Sequence, residues 1–164
     1  MNMSNIELLK QYMTIADLHT KRASEALTVL APYLPLTEKA YNNLTIQEIG
    51  CLEIITTRFG KLQDLLGSKI FSFILFFTNE KRENLSYIDG LNLLEKLEFL
   101  PSTQKWLNFR DIRNDIAHEY PFDDESMVKK ANTAIDLARI LIDYWKTLRP
   151  KIEHIIAQYE ALQK

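Results

Sequence analysis

Between Thr45 and Phe77 the apolar residues recur every three or four positions: Leu52, Ile55, Phe59, Leu62, Leu66, Ile70, Phe73 and Phe77. That step matches the turn of an α-helix, whereas a half-buried strand alternates every second residue. Nothing in the chain alternates with period two for long enough to make a strand. With 4 glycines and 5 prolines in 164 residues there is little material for the many tight turns of a β-sandwich or barrel. The chain is expected to be all-α.

Five helices can be read. The first spans about Ser4 to Leu30, with Leu8, Tyr12, Ile15, Leu18 and Arg22 along one stripe, and Pro32 and Pro35 stop it. The second starts at Thr45, a suitable N-cap with Glu48 three residues on, and continues to Phe77. The third runs from Ser86 to Leu100 before Pro101, and the fourth from Ser102 or Thr103 to His118. Pro121 forces Tyr120 into an extended conformation and closes the fourth. The fifth is capped by Asp123 or Asp124 and reaches the C-terminus, with Pro150 as a kink. There is no internal repeat, low-complexity tract or linker. The expected architecture is an up-and-down helical bundle in a single domain, residues 1–164.

A formal charge of −2 and a pI near 5.9 argue against a protein that coats DNA or RNA with a broad basic face, but leave room for a local phosphate site. The lone Cys51 permits no internal disulfide and suggests a reducing compartment. The start, MNMSNIELLKQY, lacks the basic-then-apolar pattern of a signal peptide. The most apolar run, IFSFILFF at 70–77, is too short to span a bilayer as a helix. The expected location is the cytoplasm, with no membrane partner. No glycine-rich phosphate loop, HExxH, GxSxG, CxxC pair or calcium loop is present. The histidines, at 19, 118 and 154, show no metal-ligand spacing.

What remains is RDIRNDIAHEYP, residues 110–121. At about 100° per residue, Trp106, Phe109, Ile112, Ile116 and Ala117 fall on the arc a helix normally buries, and Arg113 falls in its middle. A guanidinium cannot lose its charge, so burying it requires an anionic partner. Arg110, Asn114 and His118 stack along one edge at i, i+4 and i+8, while Arg113 lies about 140° from His118. The two converge if the long arginine reaches past the helix end, or if two copies of the helix meet across a dimer axis. On the second helix, Glu53, Thr57, Gly60, Asp64, Gly67 and Ser68 share a face. Two glycines inside a helix cost about 1 kcal/mol each, which points to tight packing or to Asp64 looking across a narrow gap at the arginine helix.

Arginine and histidine together fit RNA cleavage by attack of the ribose 2′-hydroxyl on its own phosphodiester. Histidine moves the proton near neutral pH, and arginine holds the phosphate and offsets developing charge. The competing reading is structural: Arg113 paired with Asp64 or Glu53, and His118 a solvated helix end.

RNDIAHEY resembles the R-x-x-x-x-H signature of HEPN domains, and specifically the R-N-x-x-x-H-x-Y form of the HepT toxins. RFGKLQDLLGSKIF, LLEKLEFLP and the tryptophan shortly before the motif match in style, so the resemblance covers roughly residues 45–125. It implies a helical-bundle homodimer whose facing motifs form a metal-independent ribonuclease cleft with no cofactor, acting on RNA and not DNA. Arg113 and His118 would be catalytic, with Asn114, Asp64 and Arg110 in support. It also implies a partner, an MntA-type nucleotidyltransferase antitoxin that transfers AMP to the motif tyrosine, here Tyr120. Some members of this kind are instead nucleotide-binding partners of the nucleotidyltransferase, without nuclease activity.

Overall fold

The computed structural model describes residues 4–78, 80, 84–118 and 124–162, and all regular structure among them is helical. The helices are α1 (Asn5–Leu30), α2 (Glu38–Asn42), α3 (Ile46–Leu65), α4 (Phe71–Phe77), α5 (Tyr87–Lys96), α6 (Thr103–His118) and α7 (Asp124–Leu162). The expected all-α bundle is what forms, with the short α2 as an element the apolar spacing does not announce. No helix among the described residues is long and apolar enough to cross a membrane.

Local chemistry sets the ends. Ser4 accepts from the Glu7 N–H while Glu7 accepts from the Ser4 N–H, and Thr45 and Glu48 repeat this reciprocal cap at α3. Each cap satisfies N–H groups that a first helical turn leaves open, worth about 1 kcal/mol. Helix α5 stops at Lys96, short of the expected Leu100. Glu98 adopts φ 62° just past its end, Phe99 N–H donates to Leu94 O, and Glu98 N–H donates to Glu95 O. This is the usual glycine-terminated helix end built on a glutamate. The Lys151 ammonium donates to the Glu98 carbonyl. Helix α7 continues through Pro150, and its proposed cap Asp123 lies outside the described residues.

The second expected helix is a continuous rod, α3 and α4, joined through a π turn at Leu66–Ile70 in which Phe71 N–H donates to Leu66 O. The extra residue in that turn shifts the register downstream. Ile70, Phe71, Ile74, Leu75 and Phe77 are buried, whereas Phe73, expected on the stripe, is only half-buried. A second correction concerns α1. Its buried face is Leu9, Met13, Ala16, Ala23, Ala26 and Leu30, while Ile15 and Leu18 of the expected stripe are each 41% exposed. Small alanines let two helix backbones approach, so the closest-packed face is not the most hydrophobic one.

Side-chain contacts give the directions. Tyr12 packs against Phe73 and His19 sits beside Arg58, so α1 runs antiparallel to the α3–α4 rod. Lys10 pairs with Glu160, and Asp17 meets Trp145 and Arg149, so α1 is antiparallel to α7 as well. Between these three long elements lie Ile55, Leu66, Ile70, Ile74, Ile135, Leu141, Leu148 and Trp145, all nearly inaccessible. Trp145 Nε1 donates to Asp17 Oδ1 at 2.8 Å, and Arg149 Nε donates to both Asp17 oxygens at 3.0 Å.

Candidate functional site

Helix α6 is fixed at its start and opens toward its end. Ser102 caps it by accepting the Lys105 N–H at 3.2 Å, and Thr103 N–H donates to Glu95 Oε2 at 2.6 Å, which holds the Glu95 carboxyl below the usual carboxylate range. Trp106, buried, lies against Phe71 with ring centroids 4.8 Å apart and donates from Nε1 to Tyr87 Oη at 3.0 Å. This junction is tight round Gly67: a Cβ there would come within 3.1 Å of Tyr87 Oη and 3.3 Å of Trp106 Cζ2, so those side chains would have to give by a few tenths of an ångström. One turn on, Phe109 meets Phe59 at 6.2 Å. Phe109 and Ile112 are only half-buried, so the helix rises away from the core as it approaches the motif.

Arg113 is carried across α3 by this path, which runs antiparallel to it. Its Nη2 pairs with Asp64 Oδ2, and its Nη1 donates to Asn114 Oδ1 at 2.9 Å. Its Nε lies above Gly60, 3.6 Å from where a Cβ would stand, an ordinary contact. Of the two glycines of the rod on this face, then, Gly67 lies at a close approach and Gly60 leaves the guanidinium room. The carboxylate partner is Asp64; Glu53 is exposed and makes no pair with Arg113. The Arg113 side chain keeps 27% of its surface and Asp64 keeps 60%. A pair this wet contributes about 0–1 kcal/mol, so another anion can displace the carboxylate at small cost.

Arg110 goes elsewhere. Its guanidinium carbon sits 5.3 Å from the centre of the Tyr87 ring, on the α5 side of the helix. His118 ends α6, and its side chain and all of Tyr120 lie outside the described residues. The structure therefore brings together Arg113, Asn114 and Asp64 and leaves Arg110 apart from them. Beside Asp64 on α3, Gln63 is 3% exposed, and neither end of its amide finds a hydrogen-bond partner among the described residues.

A second polar cluster, which the sequence order conceals, lies where α1 crosses α3. His19 is 8% exposed, and its Nδ1 is 3.3 Å from Arg58 Nη1. Arginine only donates, so Nδ1 accepts and the imidazole is neutral with its proton on Nε2. Burial first, then the nearby Arg58, Lys61 and Arg22 charges, holds the His19 pKa below its ordinary 6.5. The unfolded chain therefore takes up the proton more readily. Stability from this group is complete above pH 6.5 and is lost as pH falls through the lowered folded value. Denaturant titrations from pH 7.5 downward should show that loss, and His19→Gln should flatten it. The lowered carboxyls Glu7, Glu48 and Glu95 act below pH 4.5.

No family model, curated protein or solved structure matches the chain.

Proposed function

We propose that the chain is a metal-independent endoribonuclease of the HEPN, HepT-like kind, acting as a homodimer with Arg113 and His118 at a composite cleft. The observation that carries this reading is the state of Arg113. It is a guanidinium on the inner arc of α6, half-open to solvent and held by a displaceable carboxylate and its neighbour Asn114. A charge that served only the fold would be better paired or better exposed.

In the proposed reaction an RNA phosphate takes the place of Asp64 on Nη2. The ribose 2′-oxygen attacks phosphorus, losing its proton to a base, and the P–O5′ bond breaks as the leaving oxygen gains a proton. The products are a 2′,3′-cyclic phosphate and a 5′-hydroxyl. His118 moves the proton, and Arg113 offsets the charge that builds on the phosphorane oxygens. Asn114 fixes the guanidinium plane, Asp64 neutralises it while the cleft is empty, and Arg110 supports the same helix edge. The test is cleavage of a single-stranded RNA by purified protein in EDTA, with the mass in solution measured by light scattering. Cyclic-phosphate products from a dimer are expected; intact RNA refutes the nuclease, and a monomer at micromolar concentration refutes the composite cleft.

The same reading gives Tyr120 a regulatory role. It stands two residues beyond His118 in the sequence, and in the proposed regulation the phosphate of AMP joined to its phenol competes with RNA for Arg113. Co-expression with an MntA-type nucleotidyltransferase should add AMP to the wild-type chain, seen by intact mass. Tyr120→Phe should gain none and remain active, and AMP on any other residue contradicts the assignment. The second reading, a nucleotide-binding partner of such an enzyme without nuclease activity, uses the same arginine for a nucleotide phosphate. It is favoured if the chain binds ATP and leaves RNA intact.

A further inference from the structure

Six of the 20 Lys and Arg side chains have acidic partners close by among the described residues: Lys10 with Glu160, Lys21 with Glu25, Arg113 with Asp64, Arg139 with Asp136, Lys146 with Asp143, and Arg149 with Asp17 and Glu153. Arg22, Arg58 and Lys61 do not. No carboxylate among the described residues pairs with any of them, although the chain holds 22 acidic side chains against 20 Lys and Arg. Instead they gather round one buried imidazole.

The antiparallel packing of α1 on α3 makes the cluster. His19 and Arg22 are one turn apart on α1, Arg58 and Lys61 are one turn apart on α3, and the Arg58–His19 contact at 3.3 Å locks the two pairs together. Like charges brought this close repel, and the neutral imidazole between them contributes no counter-charge. Apart from Nδ1, which Arg58 Nη1 already occupies, the cluster offers only donors: the Nε2–H and the remaining N–H groups of the three cations. Ile15, Leu18 and Ile54, each 41% exposed, stand one turn before His19, Arg22 and Arg58 and border the cations with apolar surface. On α3, Lys61 lies between Arg58 and Asp64 round the helix, so the cluster continues on to the carboxylate that holds Arg113.

We propose that Arg22, Arg58 and Lys61, gathered round His19 where α1 crosses α3, bind a phosphate group of the RNA strand whose scissile phosphate lies at Arg113. This rests on the nuclease reading for the identity of the ligand, though not for the phosphate chemistry. The site holds backbone and reads no base, so it adds affinity and direction without sequence preference. It also reconciles a net charge of −2 with an RNA substrate: the positive field is confined to one strip rather than spread over a face.

The experiment uses a short fluorescent 2′-O-methyl oligoribonucleotide, which lacks the attacking hydroxyl and stays intact. Its affinity for the full chain is measured by anisotropy across a salt series. Each cation–phosphate contact on a single strand adds about 0.7 to the slope of log affinity against log salt. Arg22→Gln/Lys61→Gln, two exposed positions, should weaken binding about tenfold or more at low salt and flatten the slope by about 1.4. Arg58→Gln should act in the same direction, and melting curves establish that each variant is folded. Inorganic phosphate or ATP competing at millimolar levels, with the same loss in the variants, supports the phosphate site and makes a free nucleotide its source. Probe binding that depends on these cations, in a chain that leaves ordinary RNA intact, supports this site and refutes the nuclease reading. An unchanged slope in folded variants overturns the proposal, as does a wild-type chain that binds no probe. Conversion of a wild-type dimer to monomers by the same substitutions also overturns it, because the cations would then serve a second copy's carboxylates.

Discussion

His118→Ala is expected to cut RNA cleavage roughly 100- to 10,000-fold, the range typical for loss of a positioned proton-transfer group. The helical fold should survive, because α6 is anchored at Ser102, Thr103 and Trp106, well before the motif. Arg113→Ala should produce a loss of the same order. Arg113→Lys should restore little of it, since an ammonium lacks the planar fork that spans two phosphate oxygens. Asp64→Asn separates the two roles of the Arg113 pair. If Asp64 is a placeholder for phosphate, its removal should leave cleavage intact or lower KM, because one competitor for Nη2 is gone. If the pair is purely structural, Asp64→Asn and Arg113→Ala should destabilise the fold alike and change cleavage only through unfolding. Full activity in His118→Ala, in preparations free of contaminating nuclease, would rule out the mechanism.

Trp145→Ala should cost about 3–5 kcal/mol of stability, the largest effect of any single substitution considered. At roughly 2–4 °C per kcal/mol for a chain of this size, Tm should fall by about 6–20 °C. The indole is 1% exposed and packs among Leu141, Leu148 and the residues of α1, so its removal leaves a cavity that rigid helices close poorly. It also donates to Asp17, which keeps Arg149 as a partner and so is not left buried without one. Trp145→Phe should therefore recover most of the loss. Calorimetric melts of the three chains settle the order, and a Trp145→Ala Tm within about 2 °C of wild type would contradict this account of the core.

How the sequence relates to the fold is best seen residue by residue. The three- and four-residue step from Leu52 to Leu66 marks a buried helix face: Ile55, Phe59, Leu62 and Leu66 are buried, with Leu52 half-buried and the polar Gln63 buried beside them. After Leu66 the same step still finds Ile70 and Phe77 but puts Phe73 where Phe71, Ile74 and Leu75 are buried, because a π turn costs the sequence no distinctive residue and changes the phase. In α1 it misleads for a different reason: Ala16, Ala23 and Ala26 bury by permitting close approach, a property that hydrophobicity does not rank. The end of α5 at Glu98 was concealed because a glutamate occupies the left-handed position where glycine is usual. At the site, the shared face of Gly60 and Asp64 on one helix and the misplaced charge of Arg113 on another are both legible in linear order, and the structure sets them against each other. The His19 cluster is not legible that way. Each of its four members looks like an ordinary surface or core residue until the crossing of α1 and α3 is known.

The π turn at Leu66–Ile70 joins two stretches of helix whose buried faces are offset by one residue of sequence. Upstream of it, Gly60 and Asp64 aim at α6; downstream, Phe71, Ile74 and Leu75 aim at the core. Deleting one residue from the turn would restore regular hydrogen bonding with the two halves kept nearly in line, whereas deleting one from a regular turn of the rod would rotate one half against the other by about 100°. Either the carboxylate would swing off the arginine or the aromatic half would swing out of the interior. The irregular turn thus works as a slack link between interior and cleft, and a one-residue deletion there should be better tolerated than in any neighbouring turn of the rod.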